Sequence, residues 1–385
     1  MKNTILDYID FRGDLSMIDH PYNEIDYLIF SEFSYIDFSD FIDLTFQHIY
    51  TIHELFQLCQ QNNIKMNDDC YQLFLRMEKS LRYQNIKVIC YVDDINAELV
   101  KQFSAITFIL EDQSMVIAYR GTDDSLIGWH EDFLMLCDNV VPAQSSSVKF
   151  LEYVATYPYQ PTLFESLKNK YLAKHWWQRL LKHFLYQKKR PLILTGHSKG
   201  GNLAMYAGCF CREELKERIQ RIYNYDGPGF QQQVILSAEY KKMLPKIYSY
   251  IPHYSFFGIV LGHDEAYSVV HSHYTGMLQH NGFSWEVGRE HFIEDELSYE
   301  SVQFAIKVIV FLEKLSLDDK YQLIDAMFSL FDSLGLYTFS DLSHFSHKHI
   351  LNAIKELTLL DSKVRKTLIE VLQMLWIEST KAKKE

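Results

Sequence analysis

The stretch Pro191–Gly208, PLILTGHSKGGNLAMYAG, restricts the fold of this chain more than any other. Leu192-Ile193-Leu194 is a short apolar run that reads as a buried strand. Leu203, Ala204, Tyr206 and Ala207 follow at helical spacing. Between them, Gly196-His197-Ser198-Lys199-Gly200 fits G-x-S-x-G, the pattern of a sharp strand-to-helix turn that presents a serine above a sheet. Such a bend is strained and crowded, and Gly196, Gly200 and Gly201 supply the room it needs. The five-residue pattern alone arises by chance in roughly one chain in eight of this length, so its flanks and its partners must carry the assignment.

The flanks read as alternating strands and helices. Residues 1 to about 85 are mainly helical by pattern, with NEIDYLIFSEFSYIDF and YQLFLRMEKSLRY carrying apolar residues at helix spacing. Strand patterns then begin at 87–93, 105–111 and 114–120, the last two separated by the turn pair Asp112-Gln113. Residues 126–137 read as a helix and 163–187 as a long amphipathic one. After the serine turn, 221–225 is a strand ending in the turn DGPGF, and 246–252 and 267–272 are two more. This order predicts an α/β fold with a largely parallel sheet and helices on both faces. From about residue 297 the pattern is helical throughout, so we expect a domain over 1–296 and a helical subdomain or cap over 297–385, with STKAKKE as a frayed tail.

Bulk properties exclude several function classes. The formal net charge of −12 argues against a nucleic-acid partner, which needs a basic face. No stretch approaches the roughly 20 apolar residues of a membrane span. The six cysteines, Cys59, Cys70, Cys90, Cys137, Cys209 and Cys211, are scattered without metal or disulfide-framework spacing. The opening MKNTILDYIDFRGD carries acids where a secretion signal needs an apolar run. A cytoplasmic protein is the expectation.

A serine hydroxyl becomes a useful nucleophile only with a histidine to take its proton and an acid to orient that histidine. In chain order the acid follows the serine and the histidine follows the acid. Asp226 stands where strand 221–225 ends, and a carboxylate there lies over the same sheet edge as Ser198. Asp264, before strand 267–272, is its competitor. His253, His263, His271, His273, His280 and His291 are the candidate bases. His280, in the loop GMLQHNGFSW after the last strand, is preferred, because that loop can reach Ser198. His271 and His273, two apart on or at the end of a strand, are read as structural, because no carboxylate or cysteine cluster completes a metal site. An oxyanion needs donors: the Lys199 N–H at a helix N-terminus is one. Thr122, with its N–H and hydroxyl in the loop of VIAYRGTDDSLIGWHEDF, is the other.

The segments YRGTDDSLIGWHEDF, GHSKGGNLA and QHNGFSW together resemble the pattern of class 3 (fungal-type) lipases. They are more similar still to a bacterial family of serine α/β-hydrolases related to those lipases, which shares segments like YLIFSEFSYIDF, DGPGF and QH followed by FSW. The resemblance spans about residues 20–290. It implies an α/β-hydrolase fold, Ser198 as nucleophile, His280 as base, and Thr122 with Lys199 as oxyanion donors. It also matches Arg120, Trp129 and Asp132, read as a brace for the oxyanion loop. One departure stands out. Class 3 lipases place the acid after the next strand, and the corresponding segment here, YIPHYSFFGIVL, has no carboxylate, so Asp226 is the substitute.

The expected function is hydrolysis of a carboxylic acyl ester or lipid through an acyl-enzyme, with no cofactor and no metal. The alternatives are a catalytically inactive scaffold that binds a ligand or protein, a thioesterase, or a peptidase.

Overall fold

The computed structural model describes residues 3–157, 189–338, 357–358 and 360–381. The helix expected over 163–187 lies outside them. The N-terminal region holds α1 (Ile5–Arg12), α2 (Glu24–Phe33), the two-residue strand β1 (Tyr50–Thr51), α3 (Ile52–Gln61) and α4 (Asp68–Lys79). Next come β2 (Lys87–Asn96), β3 (Lys101–Ile109), β4 (Met115–Tyr119), α5 (Leu126–Leu134) and α6 (Pro142–Val154). The serine turn joins β5 (Leu192–His197) to α7 (Lys199–Phe210). Beyond it lie α8 (Glu213–Lys216), β6 (Ile219–Tyr225), α9 (Gln232–Ile235), α10 (Ala238–Met243), β7 (Ile247–Pro252) and β8 (Tyr267–Val270). The C-terminal helices are α11 (Tyr299–Glu313), α12 (Leu317–Ser333) and α13 (Ser362–Lys381).

The eight strands form one sheet in the order β1-β2-β3-β4-β5-β6-β7-β8. Strands β1 to β4 pair antiparallel, and β4 to β8 pair parallel. The parallel part is covered on both faces, as parallel strands require. The two-residue side-chain period of β4 makes this plain. Met115, Ile117 and Tyr119 enter the core with Leu203, Ala207 and Phe150. Val116 and Ala118 enter the opposite core with Leu28, Phe30 and Phe33 of α2. The N-terminal helices therefore form one cover and α6 with α7 the other. A third apolar cluster, Leu126, Leu323, Met327, Leu330, Leu334, Leu336 and Leu368, joins α5 to the C-terminal helices.

Several element boundaries differ from the sequence reading. Strand β3 starts at Lys101 rather than 105, and the β3–β4 connection runs from Leu110 to Ser114, because Asp112 Oδ1 accepts from the Ser114 N–H at 2.8 Å and Gln113 takes a positive φ of 71°. Strand β8 stops at Val270, so His271 and His273 follow it rather than lying on it. Helix α13 continues through Ser379–Lys381, the first residues of the expected tail.

One buried ion pair fixes the N-terminal cover. Arg82 Nε and Nη2 each donate to Asp26 of α2 at 2.7 Å, both side chains being fully buried. Tyr83 and Tyr8 add hydroxyl donors to the same carboxylate. Removing one member strands the other charge in a medium that solvates it poorly. Asp26→Ala should therefore lower the unfolding free energy by about 3–5 kcal/mol in a urea titration. A loss under about 1 kcal/mol would mean that the pair is structurally idle.

Candidate active site

The site is built on the bend between β5 and α7. Gly196 has no room for a side chain: a Cβ there would meet the Gly200 carbonyl oxygen at 2.1 Å. A Cβ on Gly200 would meet the Tyr119 carbonyl oxygen of β4 at 2.0 Å. Chains packed this closely force Ser198 to φ 57°, ψ −133°, a region that L-residues seldom occupy. Its N–H is held by the Tyr225 carbonyl at 2.8 Å, and the residue is partly exposed. Lys199 is the first residue of α7, so its N–H has no intrahelical acceptor and points along the positive end of the helix dipole.

Asp226 and His280 are brought together. Asp226 Oδ2 lies 2.6 Å from His280 Nδ1, and the carboxylate is fully buried. Asp226 also takes a positive φ, 51°, which Asp tolerates better than most side chains. Its other oxygen accepts from the Ser255 hydroxyl and, at 3.1 Å, from the Gly258 N–H. Both donors belong to YIPHYSFFGIVL, the segment that lacks a carboxylate. His280 stands beside the elbow, its ring 4.7 Å from that of His197, the residue before Ser198. The Phe257 ring lies 4.3 Å away and adds an apolar contact. The Ser198 hydroxyl has no hydrogen-bond partner among the described residues.

The loop bearing Thr122 closes over the same point. A Cβ on Gly121 would stand 3.0 Å from Ser198 Cβ. The Thr122 hydroxyl donates to Asp132 Oδ2 at 2.5 Å, so of the two donors expected from Thr122 only the N–H is left without an acceptor among the described backbone groups. Asp132 is held above the usual carboxylate range by burial, against the pull of the Lys199 ammonium and the Thr122 hydroxyl. Arg120 reaches Asp93 at 2.8 Å and Asp123 at 3.4 Å, and the Trp129 ring lies 6.2 Å from Phe257.

The remaining candidates are engaged elsewhere. His253 and His271 share Asp295, His271 at 2.7 Å, so carboxylates do surround His271 where the sequence showed none. His263 pairs with Glu265 at 2.8 Å, and His291 with Glu24 at 2.7 Å. His273 packs on Tyr274, with its Nδ1 buried and unpartnered. The N–H of Asp264 donates to the Tyr240 hydroxyl, and its carboxylate meets no histidine among the described residues. Among those residues no group of three or more His, Cys, Asp or Glu is placed to hold a metal.

Three features escaped the sequence reading. The Lys199 side chain is buried and donates to Gln102 at 2.9 Å and Glu131 at 3.2 Å. Ser255 braces Asp226. Glu32, inside the apolar run of α2, lies 3.3 Å from His197 Nδ1. What singles it out, burial at nine consecutive positions of one helix, belongs to the fold and not to the sequence pattern. Burial, helped by the charge of Asp69, pushes its pKa up to about 8, while burial and then His280 push His197 down to about 3. The two therefore meet as neutral groups near pH 7.

Sheet order, parallel crossover and strained elbow define an α/β-hydrolase-fold protein of the lipase-related kind. The chain belongs to the Mbeg1-like family, whose model matches residues 77–329. Solved structures similar to it include lipase II from Rhizopus niveus, at 12% identity and TM-score 0.37, covering 73% of this chain and 90% of that one. M37 lipase is 15% identical with TM-score 0.33, over 62% and 69%. The Rhizomucor miehei lipase propeptide complex is 10% identical with TM-score 0.30, over 64% and 67%. No curated protein matches.

Two outcomes follow from this geometry. Backbone strain at Ser198 is worth about 1–3 kcal/mol, and the extra unfolded-state freedom of glycine costs about 0.5–1. Ser198→Gly should therefore be more stable than Ser198→Ala by about 1 kcal/mol in urea; equal stabilities would remove the strain. The second concerns Glu32. Folded, its carboxyl keeps a proton to about pH 8; unfolded, only to its ordinary value near 4.5. The stability it contributes is fully present below about 4.5 and is lost as pH rises through about 8. The urea midpoint of wild type relative to Glu32→Gln should fall across that window; parallel curves would place the Glu32 pKa at its ordinary value.

Proposed function

We propose that this chain is a serine hydrolase of carboxylic acyl esters, lipase- or esterase-like. The observation that carries the reading is the buried Asp226 carboxylate 2.6 Å from His280 Nδ1, beside a serine held at a left-handed φ. Asp226 orients the imidazole and stabilises the imidazolium, so Nε2 is free to serve as base. Ser198 Oγ gives its proton to that nitrogen as it attacks the ester carbonyl. The Thr122 and Lys199 N–H groups receive the oxyanion. His280 then returns the proton to the departing alcohol, and water repeats the cycle on the acyl-enzyme.

The substrate is a small acyl ester or a lipid. Phe257 against His280, with Phe256 5.1 Å from Phe304 of α11, supports an apolar acyl site beneath the C-terminal helices. The oxyanion loop is clasped by the same region, through the Leu126 N–H on the Tyr337 carbonyl and His130 stacked 4.2 Å from Phe328. We read residues 297–385 as a cap on a hydrolase domain over 1–296. No helix among the described residues is long and apolar enough to cross a membrane. Six scattered free cysteines fit a reducing, cytoplasmic setting.

A fluorophosphonate probe should label wild type and not Ser198→Ala. Ser198→Ala and His280→Ala should each lower hydrolysis of p-nitrophenyl butyrate by about 10⁴-fold or more, since triad members act as a unit. Asp226→Asn should cost about 10²–10⁴-fold, and Asp264→Asn less than about twofold. An unlabelled wild type would leave the inactive-scaffold reading standing.

A further inference from the structure

Glu32 is the buried acid that the mechanism leaves unused. Every residue of α2 from Ile25 to Phe33 is buried around it. Its Oε1 has no hydrogen-bond partner and lies 3.3 Å from His197 Nδ1. On the other side it abuts the loop that carries His280: a Cβ on Gly282 would stand 2.4 Å from Oε1. A carboxyl here has a high cost of burial and needs a reason to persist.

The hydrogen-bond logic of His197 supplies one. Its Nε2 lies 2.7 Å from the carbonyl oxygen of His280. A carbonyl only accepts, so that nitrogen carries the ring proton. The ring is neutral, which leaves Nδ1 as a bare acceptor. Two groups face it: the Tyr35 hydroxyl at 3.3 Å and the Glu32 carboxyl at the same distance. Tyr35 is held far above its ordinary pKa by burial, and Glu32 keeps its proton to about pH 8, so near neutrality Tyr35 donates to Nδ1 and Glu32 holds a second proton within reach of it. The neighbouring carbonyl, that of Gln279, is pinned separately by the Trp285 Nε1–H at 2.8 Å.

We propose that Glu32 and His197 are positioning residues: the acid sets the tautomer of His197, whose Nε2–H grips the His280 carbonyl and so fixes the imidazole between Asp226 and Ser198. This rests on reading His280 as the base. If Glu32 loses its proton, the carboxylate draws the ring proton to Nδ1. The Nε2 lone pair then faces the His280 carbonyl and repels it. The grip is lost as pH rises through about 8. The other titratable groups facing Glu32 are Asp69 and Cys70 on α4, Tyr35 after α2, and His197. The Cys70 thiol is pushed up to about 12, and His197 is neutral above about 3.

The test uses the full chain with Glu32→Gln, Glu32→Leu and His197→Phe. The first readout is the downfield proton resonance of His280 Nδ1–H, assigned by its loss in His280→Asn. The second is kcat and KM on p-nitrophenyl butyrate from about pH 6 to about 9. In wild type the resonance should be sharp near neutrality and should broaden above about pH 8, with kcat falling in step. Glu32→Leu and His197→Phe should broaden it at every pH and lower kcat about tenfold with KM moved less than about twofold. Glu32→Gln, whose amide still donates and does not titrate, should restore the resonance and flatten the alkaline limb. Should Glu32→Leu and His197→Phe keep a sharp signal, or Glu32→Gln keep the alkaline fall, the proposal is overturned. If the apolar variants do not fold, the Glu32→Gln pH profile decides alone. A wild type that hydrolyses no ester would overturn the hydrolase reading, while the resonance would still report whether Glu32 and His197 hold His280.

Discussion

Backbone crowding at a single bend organises the molecule. The Gly200 position touches the Tyr119 carbonyl of β4, and a Cβ on Gly201 would meet Asn224 of β6 at 2.0 Å. Three strands and a helix thus meet where only glycine fits. The strained φ of Ser198 is the consequence, and it persists because the flanking strands over-determine it. Every other part of the candidate site is then a matter of what reaches that point: the loop after β4, the turn after β6 and the loop after β8.

The position of the acid illustrates how one sheet edge tolerates rearrangement. A carboxylate at the end of β6 and one at the end of β7 overlook the same corner, since adjacent strands lie about 4.8 Å apart. Here β6 supplies the acid, and the β7 segment supplies the Ser255 and Gly258 donors that stabilise its charge. Asp226 needs such donors, because it is wholly buried and His280 satisfies only one of its oxygens.

The parts of this architecture legible in sequence were those governed by local periodicity and turn chemistry. The apolar run before Gly196, the helical spacing after it and the DGPGF turn marked the sheet edge, and the order of strands pointed to its parallel half. Chain order and strand ends directed attention to Asp226, with Asp264 as competitor, and the loop after the last strand, with the resemblance to class 3 lipases, singled out His280 from six histidines. Less legible were contacts between residues far apart in sequence. Glu32 and His197 are 165 positions apart, and Lys199 and Glu131 are 68 apart; neither pairing leaves a local trace. The periodicity of α2 even conceals Glu32, because a helix buried all round has no polar face on which an acid would look natural. Strand ends shifted for a similar reason: β3 reaches back to Lys101 because β2 offers it a pairing partner as far as Asn96, a non-local gain that intrinsic propensity does not encode.

The two flanks of the elbow carry opposite electrostatic solutions to the same burial problem. On the side of the oxyanion loop the buried groups are ions: Lys199 lies between Glu131 and Asp132, and Glu131 is fully satisfied by the N–H groups of Gln102 and Ala143. The Lys199 ammonium there offsets the two acids beside it. Beneath the histidine the buried groups are neutral. A carboxylate at Glu32, in so dry a place, would attract a proton onto the His197 imidazole beside it. A carboxylic acid in the same place exerts no such field. A neutral carboxyl beside His197 and a buried ion pair beside the Thr122 loop are thus two different answers to the same cost of burying a charge.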